Sequence, residues 1–275
     1  MKALLAFLIA LISPSILPAN VAAEERISLP VPFVWEIPDG AWVKPWNNAC
    51  EEASVIMTEA FYLGTPKKNF SRTEAKEAMF PLFGIEDRLF GSNADTDAAR
   101  TTQLINDYTA FDATIKENPT LEEIKAELQQ NHPVISLHYG YGLQNPHHRF
   151  RRGGSSYHMM VIVGFDEDKK EFLVNDPELK TGLDYPYPYD TILNTLHDFN
   201  HKTRKADGRP VVLFTSPKQI VKSAGSQRVY LVRDDKKYYI TNPAVFKNHR
   251  WPWKLVKTVD KSWLERLTSG EPIRR

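Results

Sequence analysis

Cysteine is almost absent from this sequence: Cys50 is the only one in 275 residues, which excludes an internal disulfide framework. An excess of charge of either sign is absent too. Lys and Arg number 35 against 34 Asp and Glu, a formal net charge of +1. Bulk electrostatics therefore gives no reason to expect nucleic acid or an anionic membrane as a partner. After residue 23 no apolar run is long enough to span a bilayer, so no transmembrane helix is expected in the mature chain. Core material is plentiful, at 42% hydrophobic residues. The roughly 250 residues beyond a leader can hold one sizeable domain and a small one.

The first 23 residues have the form of a secretory signal. Lys2 supplies a positive start, Ala3 to Ile12 an apolar stretch, and Val21-Ala22-Ala23 small residues ahead of Glu24. Pro14 and Pro18 break the run, which makes an uncleaved anchor the lesser alternative. Residues 1–23 are expected to be a signal peptide and the protein to be secreted or held at the cell surface. Export sharpens the question of Cys50, because exported proteins usually pair their cysteines. A lone thiol is an apolar filler, an intermolecular bridge or a nucleophile. Composition alone favours the filler.

The surroundings of Cys50 favour the nucleophile. Asn48 and Glu51 have the spacing of a capping box, with Asn48 as N-cap and Cys50 second in the helix. Ala53, Ile56, Met57, Ala60 and Leu63 continue at amphipathic spacing, and Gly64 with Pro66 ends the helix. Unpaired N–H groups and the macrodipole at a helix start favour a thiolate. Glu51 and Glu52 oppose this, so a cationic partner is needed.

Downstream, helices come before strands. Ser71 with Glu74 opens a second helix, Thr96 to Tyr108 forms a third, and Thr120 with Glu123 opens a fourth ending at Gln130. Apolar, β-branched runs follow at 133–139, 158–165, 171–174 and 209–215, with a hairpin turn over 166–170. The fold class is α+β, with an antiparallel sheet. His158 opens the second run, and a histidine there is more often a satisfied core residue. The hairpin, with Phe165 facing roughly Glu171, brings His158 opposite the region of Asp176 to Glu178. A carboxylate there would hold the imidazole and stabilise its protonated form. Alternation sends Asn175 and Asp176 to opposite faces, so only one of them can do this.

Taken in order, "VPFVWEIPDGAW", "NNACEEASVIM", "LEEIKAELQQNHPVI", Asn145-Pro146, "YHMMVIVGFD" and "FLVNDP" with its tail "GLDYPYPYDTILNTLHDF" resemble the papain-like cysteine peptidases. The resemblance is strongest to the bacteriocin-processing, double-glycine branch and its C thirty-nine-like bacterial relatives, and it covers about Leu29 to Asn200. It implies Cys50 as nucleophile, His158 as general base and acid, and Asp176 as the orienting third member. Asn175 is the alternative third member, since papain uses an asparagine. It also implies acyl transfer from an amide to a thioester and then to water, on a peptide or protein substrate, with no cofactor and no metal. One position departs from the pattern: Glu36 stands where the family has a glutamine donating to the oxyanion. An ionised carboxylate would repel that charge. Burial that protonates Glu36, donation by Asn47 or Asn48, or loss of catalysis are the ways out, the last leaving an inactive domain that binds peptides or cell-wall material.

The basic run Pro146 to Arg152 reads as a solvated loop, and His147 and His148 lack the spacing of a metal site. The peptidase-like domain is expected over 27–215, a linker over 216–227 and a small accessory module over 228–275. The module holds a hairpin around Asp234-Asp235, a strand in "LVKTV" and a helix at Trp263. Tyr230, Tyr239, Phe246, Trp251 and Trp253 read first as its core and second as a platform for a cell-surface polymer.

Overall fold

The computed structural model describes residues 26–144 and 156–274. The expected signal, residues 1–23, lies outside the described residues, as do Asn145-Pro146, His147, His148 and the rest of the basic run.

A short strand, β1 (Arg26–Ser28), leads into three helices, α1 (Cys50–Tyr62), α2 (Arg72–Phe90) and α3 (Ala98–Tyr108). A fourth, α4 (Leu121–Gln129), follows the strand β2 (Phe111–Glu117). Capping boxes form at Ser71 with Glu74 and at Thr120 with Glu123. Each hydroxyl accepts from the third helical N–H while the glutamate accepts from the cap's own N–H, which satisfies two orphan donors at once.

The start of α1 departs from expectation. Cys50 is its first residue, Ala49 is the N-cap, and no side chain caps it. Asn48 sits in a preceding 3-10 turn, Trp46–Asn48. In the orientation that satisfies its amide, it accepts from the Asp95 N–H at 2.7 Å and donates to the Asp95 carboxylate. The helix is not amphipathic either. Every residue from Cys50 to Ala60 is buried, including Glu51, Glu52 and Glu59. Such a helix is enclosed by the fold rather than laid on its surface, and its glutamates have no solvent to face.

The sheet that α1 packs against continues with β3 (Val134–Tyr139), β4 (Tyr157–Asp166), β5 (Glu171–Asn175), β6 (Tyr185–Pro188) and, after the short helix α5 (Tyr189–Thr195), β7 (Val211–Pro217). Its order is β2-β7-β3-β4-β5-β6, antiparallel throughout, with β1 pairing to the far end of β4. β4 is buried along its whole length, and the Ser54 hydroxyl of α1 donates to the Met159 carbonyl, pinning helix to strand. The β4–β5 hairpin forms, one residue out of the expected register: Phe165 faces Phe172, and a bulge lies between Ile162 and Gly164. β1 crosses so close there that a Cβ on Gly164 would lie 2.1 Å from the Ile27 carbonyl oxygen. Glycine is required where backbones approach this closely.

A second, mixed sheet contains β8 (Gln219–Ser223), β9 (Val229–Arg233), β10 (Lys236–Ile240), β11 (Val256–Val259) and β12 (Thr268–Ser269), in the order β11-β8-β9-β10-β12, with α6 (Ala244–Asn248) and α7 (Lys261–Arg266) beside it. The β9–β10 turn is at Asp234-Asp235, both at positive φ, as a two-residue hairpin turn demands. Phe246 and Trp251 are buried in the small core of this sheet. The segment 216–227, read from its composition as a linker, carries the end of β7 and all of β8. Pairing of β8 with β9 and β11 overrides its loop-like composition. The sheets are fastened at Asp112, whose Oδ1 accepts from Lys218 Nζ at 2.6 Å and an Arg233 guanidinium N–H at 2.7 Å. Burial pulls the Lys218 amine down to about 8. Among the described residues no helix is long and apolar enough to cross a membrane.

Candidate active site

Cys50 is placed by the start of α1, and His158 by the second position of β4, opposite His138 of β3. Asp176 directly follows β5. His158 Nε2 and Asp176 Oδ1 are 2.8 Å apart. The same carboxylate accepts from the Glu178 N–H at 3.1 Å and from the Tyr187 hydroxyl at 2.7 Å. Asn175 points elsewhere, donating to the Val31 carbonyl at 3.0 Å and accepting from the Asp184 N–H at 3.0 Å. The alternation expected of a strand thus gives Asp176 to the histidine and Asn175 to the chain's first segment.

Glu36 arrives on that first segment, held by a bond from its N–H to the Pro177 carbonyl at 3.0 Å. One carboxylate oxygen of Glu36, the Cys50 sulfur and one ring nitrogen of His158 all lie within 4.8 Å of one another, and all three residues are buried. Glu36 is 2% exposed, and its Oε2 has no hydrogen-bond partner among the described residues. Asn48, tied to Asp95, is not available as an oxyanion donor.

Acids crowd this cluster. Glu51 accepts from the Cys50 thiol at 3.1 Å and from the Thr96 N–H at 2.9 Å. Glu178 Oε2 is 3.8 Å from His158 Nδ1. Burial, reinforced by the Glu178 and Asp176 charges, pushes the Glu36 carboxyl well above the ordinary carboxylate range. Burial and Asp95 push Glu51 up to about 8. Burial, then the Glu51 and Glu36 charges, also push the Cys50 thiol up. The thiolate expected from the helix start is therefore outweighed: desolvation and neighbouring carboxylates exceed a dipole effect that is worth at most about 2 kcal/mol. For His158 burial acts downward, but Asp176 and then Glu178 overcome it, and the imidazole is raised. His138, buried and next to His158, is pushed down to about 3 and stays neutral. Its Nδ1 pairs with the Thr195 hydroxyl at 2.8 Å.

Sequence reasoning placed Cys50, His158 and Asp176 and left out Asp95, His138 and Tyr187. It named Glu51 only as a charge opposing the thiolate. The single available signal for Tyr187 was its place in the "YPYPY" strand beside β5.

These buried acids make stability depend on pH in a defined sense. A carboxyl whose folded pKa is raised binds its proton longer in the folded than in the unfolded chain, so stability falls as pH rises from the unfolded value to the folded one. Glu86, pushed by burial to about 7, and Glu51 both do so. His138 acts oppositely, but only below its ordinary value near 6.5. From pH 6.5 to 8 stability should therefore drop, by about 2 kcal/mol from Glu51 alone. Thermal melts in chelator-containing buffer read this as a loss of several degrees. A melting temperature flat or rising over that interval contradicts the buried-acid arrangement.

A family model described as the Peptidase_C39 like family matches residues 29–206. No curated protein matches the chain. Among solved structures, a crystal structure described as a C39-like peptidase from Bacillus anthracis is similar, with 14% identity over 70% of this chain and 98% of that one, at a TM-score of 0.43.

Proposed function

Because the chain belongs to the Peptidase_C39 like family, we propose that it is a cysteine hydrolase, cutting a peptide or amide bond with Cys50 as nucleophile, His158 as base and acid, and Asp176 as the positioning carboxylate. The observation that carries the reading is the contact between buried His158 and Asp176, with the Cys50 sulfur and Glu36 gathered within 4.8 Å of the same imidazole.

His158 takes the thiol proton as Cys50 attacks the carbonyl carbon, so the thiolate is generated in the reaction rather than stored. Asp176 stabilises the imidazolium that forms. The tetrahedral oxyanion needs donors. First-turn N–H groups of α1 have no helical acceptor and can supply one. Glu36 supplies the second as a neutral acid, its proton retained because burial disfavours the carboxylate. His158 then protonates the leaving amine as the C–N bond breaks, and water, deprotonated by His158, releases the acyl group from the thioester. The substrate is a peptide or protein met outside the cytoplasm, which follows from the signal-like residues 1–23. The second sheet is a candidate contact for a cell-surface polymer, through Trp253, which is 58% exposed.

Glu36→Gln tests the neutral-acid role. Glutamine donates at every pH, whereas Glu36 donates only while protonated. The ratio of variant to wild-type kcat/KM should stay near one in mild acid and climb as pH rises through the folded pKa of Glu36. It should approach the 10² to 10³ that such a donor is typically worth, on the order of magnitude. A pH-independent ratio removes Glu36 from the oxyanion. A silent wild type with an active Glu36→Gln variant favours the inactive binding domain.

A further inference from the structure

The same three side chains that place Glu36 beside the thiol also have the chemistry of a metal site. We propose that Glu36, Cys50 and His158 bind a single Zn²⁺ ion, with the Cys50 thiolate as a direct ligand. This goes beyond the hydrolase reading and does not depend on it.

Thiolate, imidazole and carboxylate together suit Zn²⁺, an ion of borderline softness that accepts all three, better than Mg²⁺ or Ca²⁺, which favour oxygen alone. In tetrahedral geometry the ligand atoms of such a set stand roughly 3.3–3.6 Å apart. Here they lie within 4.8 Å of one another, so side-chain adjustments of about 1 Å close the site. Two further observations point to a ligand. Glu36 is buried, and its Oε2 has no hydrogen-bond partner among the described residues, an arrangement that usually costs free energy. His158 presents Nε2 to Asp176 at 2.8 Å. That is the carboxylate–histidine contact which fixes the ring of a metal ligand, and it makes Nδ1 the ligating nitrogen. Around this set, Glu51 Oε2 lies 3.1 Å from the Cys50 sulfur and Glu178 Oε2 lies 3.8 Å from His158 Nδ1. A dication suits such surroundings.

Binding replaces the S–H bond of Cys50 and the O–H bond of protonated Glu36 by Zn–S and Zn–O bonds, and both protons leave to solvent. The fourth position falls to water. Because the sulfur electron pair that attacks a carbonyl is the one given to the metal, bound Zn²⁺ and thioester formation exclude each other. The ion is thus a reversible silencer of Cys50.

The full chain, stripped with EDTA and moved to chelator-free buffer, is titrated with Zn²⁺ and separately with Co²⁺. Native mass spectrometry should show one ion per chain. The Co²⁺ form should show the near-ultraviolet sulfur-to-cobalt absorption that arises only from thiolate ligation. Cys50→Ala should remove that band, and Glu36→Gln should weaken Zn²⁺ binding by at least about 10–100-fold, the range that even an outer partner commands. Absence of saturable binding, absence of the cobalt band in the wild type, or a Glu36→Gln variant that binds as tightly as wild type each overturns the proposal. The wild-type spectrum decides sulfur ligation even where a variant does not fold. A metal-free protein that binds Zn²⁺ but cleaves nothing overturns only the hydrolase reading, and one that cleaves without binding overturns only this one.

Discussion

Cys50→Ser should lower kcat/KM for peptide hydrolysis by on the order of 10⁴ or more while the melting temperature stays within a few degrees of wild type. The substitution is nearly isosteric, and a serine hydroxyl can keep the bond that the thiol donates to Glu51, so packing around α1 is preserved. What is lost is chemical. A thiol is intrinsically nucleophilic and gives up its proton to an imidazole far more readily than an alcohol does. This site has little spare activation to lend a poorer nucleophile, since burial and acidic neighbours already oppose anion formation at position 50. Turnover is read on a peptide-library substrate cleaved by the wild type, in the presence of chelator. Activity retained within tenfold in the serine variant would show that bond cleavage does not pass through Cys50.

Asp176→Ala should cost on the order of 10⁴ in kcat/KM, whereas Asn175→Ala should leave activity within about tenfold and show instead as lost stability, about 1–3 kcal/mol for stranding its partners. Asp176 Oδ1 lies 2.8 Å from His158 Nε2, and the same carboxylate also receives the Tyr187 hydroxyl and the Glu178 N–H. Without it the imidazole loses both its orientation and the charge that supports its protonated form. The pH profile separates positioning from mere structural damage. Because Asp176 raises His158, the histidine limb should move to lower pH in any residual activity of Asp176→Ala and should not move in Asn175→Ala. The opposite ranking transfers the third role to Asn175, despite its bonds to Val31 and Asp184.

The parts of this site legible in the sequence are those set by local pattern. A strand that opens with His158, a turn rich in charge, and a strand that closes on Asn175-Asp176 are enough to bring a histidine and a carboxylate together, even with the register misjudged by one residue. Capping boxes at Ser71 and Thr120 follow from spacing alone. The same spacing misleads at Asn48, because tertiary partners compete for both members: Asp95 takes the asparagine, while the Thr96 N–H and the Cys50 thiol take Glu51. The acidic surroundings were illegible for a related reason. Glu36, Glu51, Asp95 and Glu178 come from four separate segments, and although Glu36 and Glu51 stand out singly, no local pattern joins them to Asp95 and Glu178. Only the fold shows that α1 is enclosed, so that Glu51, Glu52 and Glu59 are all buried and Glu51 takes the hydrogen bond of the thiol. β2 was likewise missed, since Phe111–Glu117 carries mixed charge and becomes a strand through β7.

The position of β7 has a consequence for the order of events in folding. It inserts between β2 and β3, pairing Phe111 with Pro217 and Val134 with Phe214, so the strands on either side have no partner on that flank until the chain has emerged past residue 217. Loop closure over so long a separation is slow, because its entropy must be lost before the ladder bonds reward it. A nascent chain stopped anywhere before β7 presents two open sheet edges, the condition in which chains capture chaperones or one another. The sheet is thus closed by an interior strand, second from its β2 edge, that is the last of its strands to be synthesised.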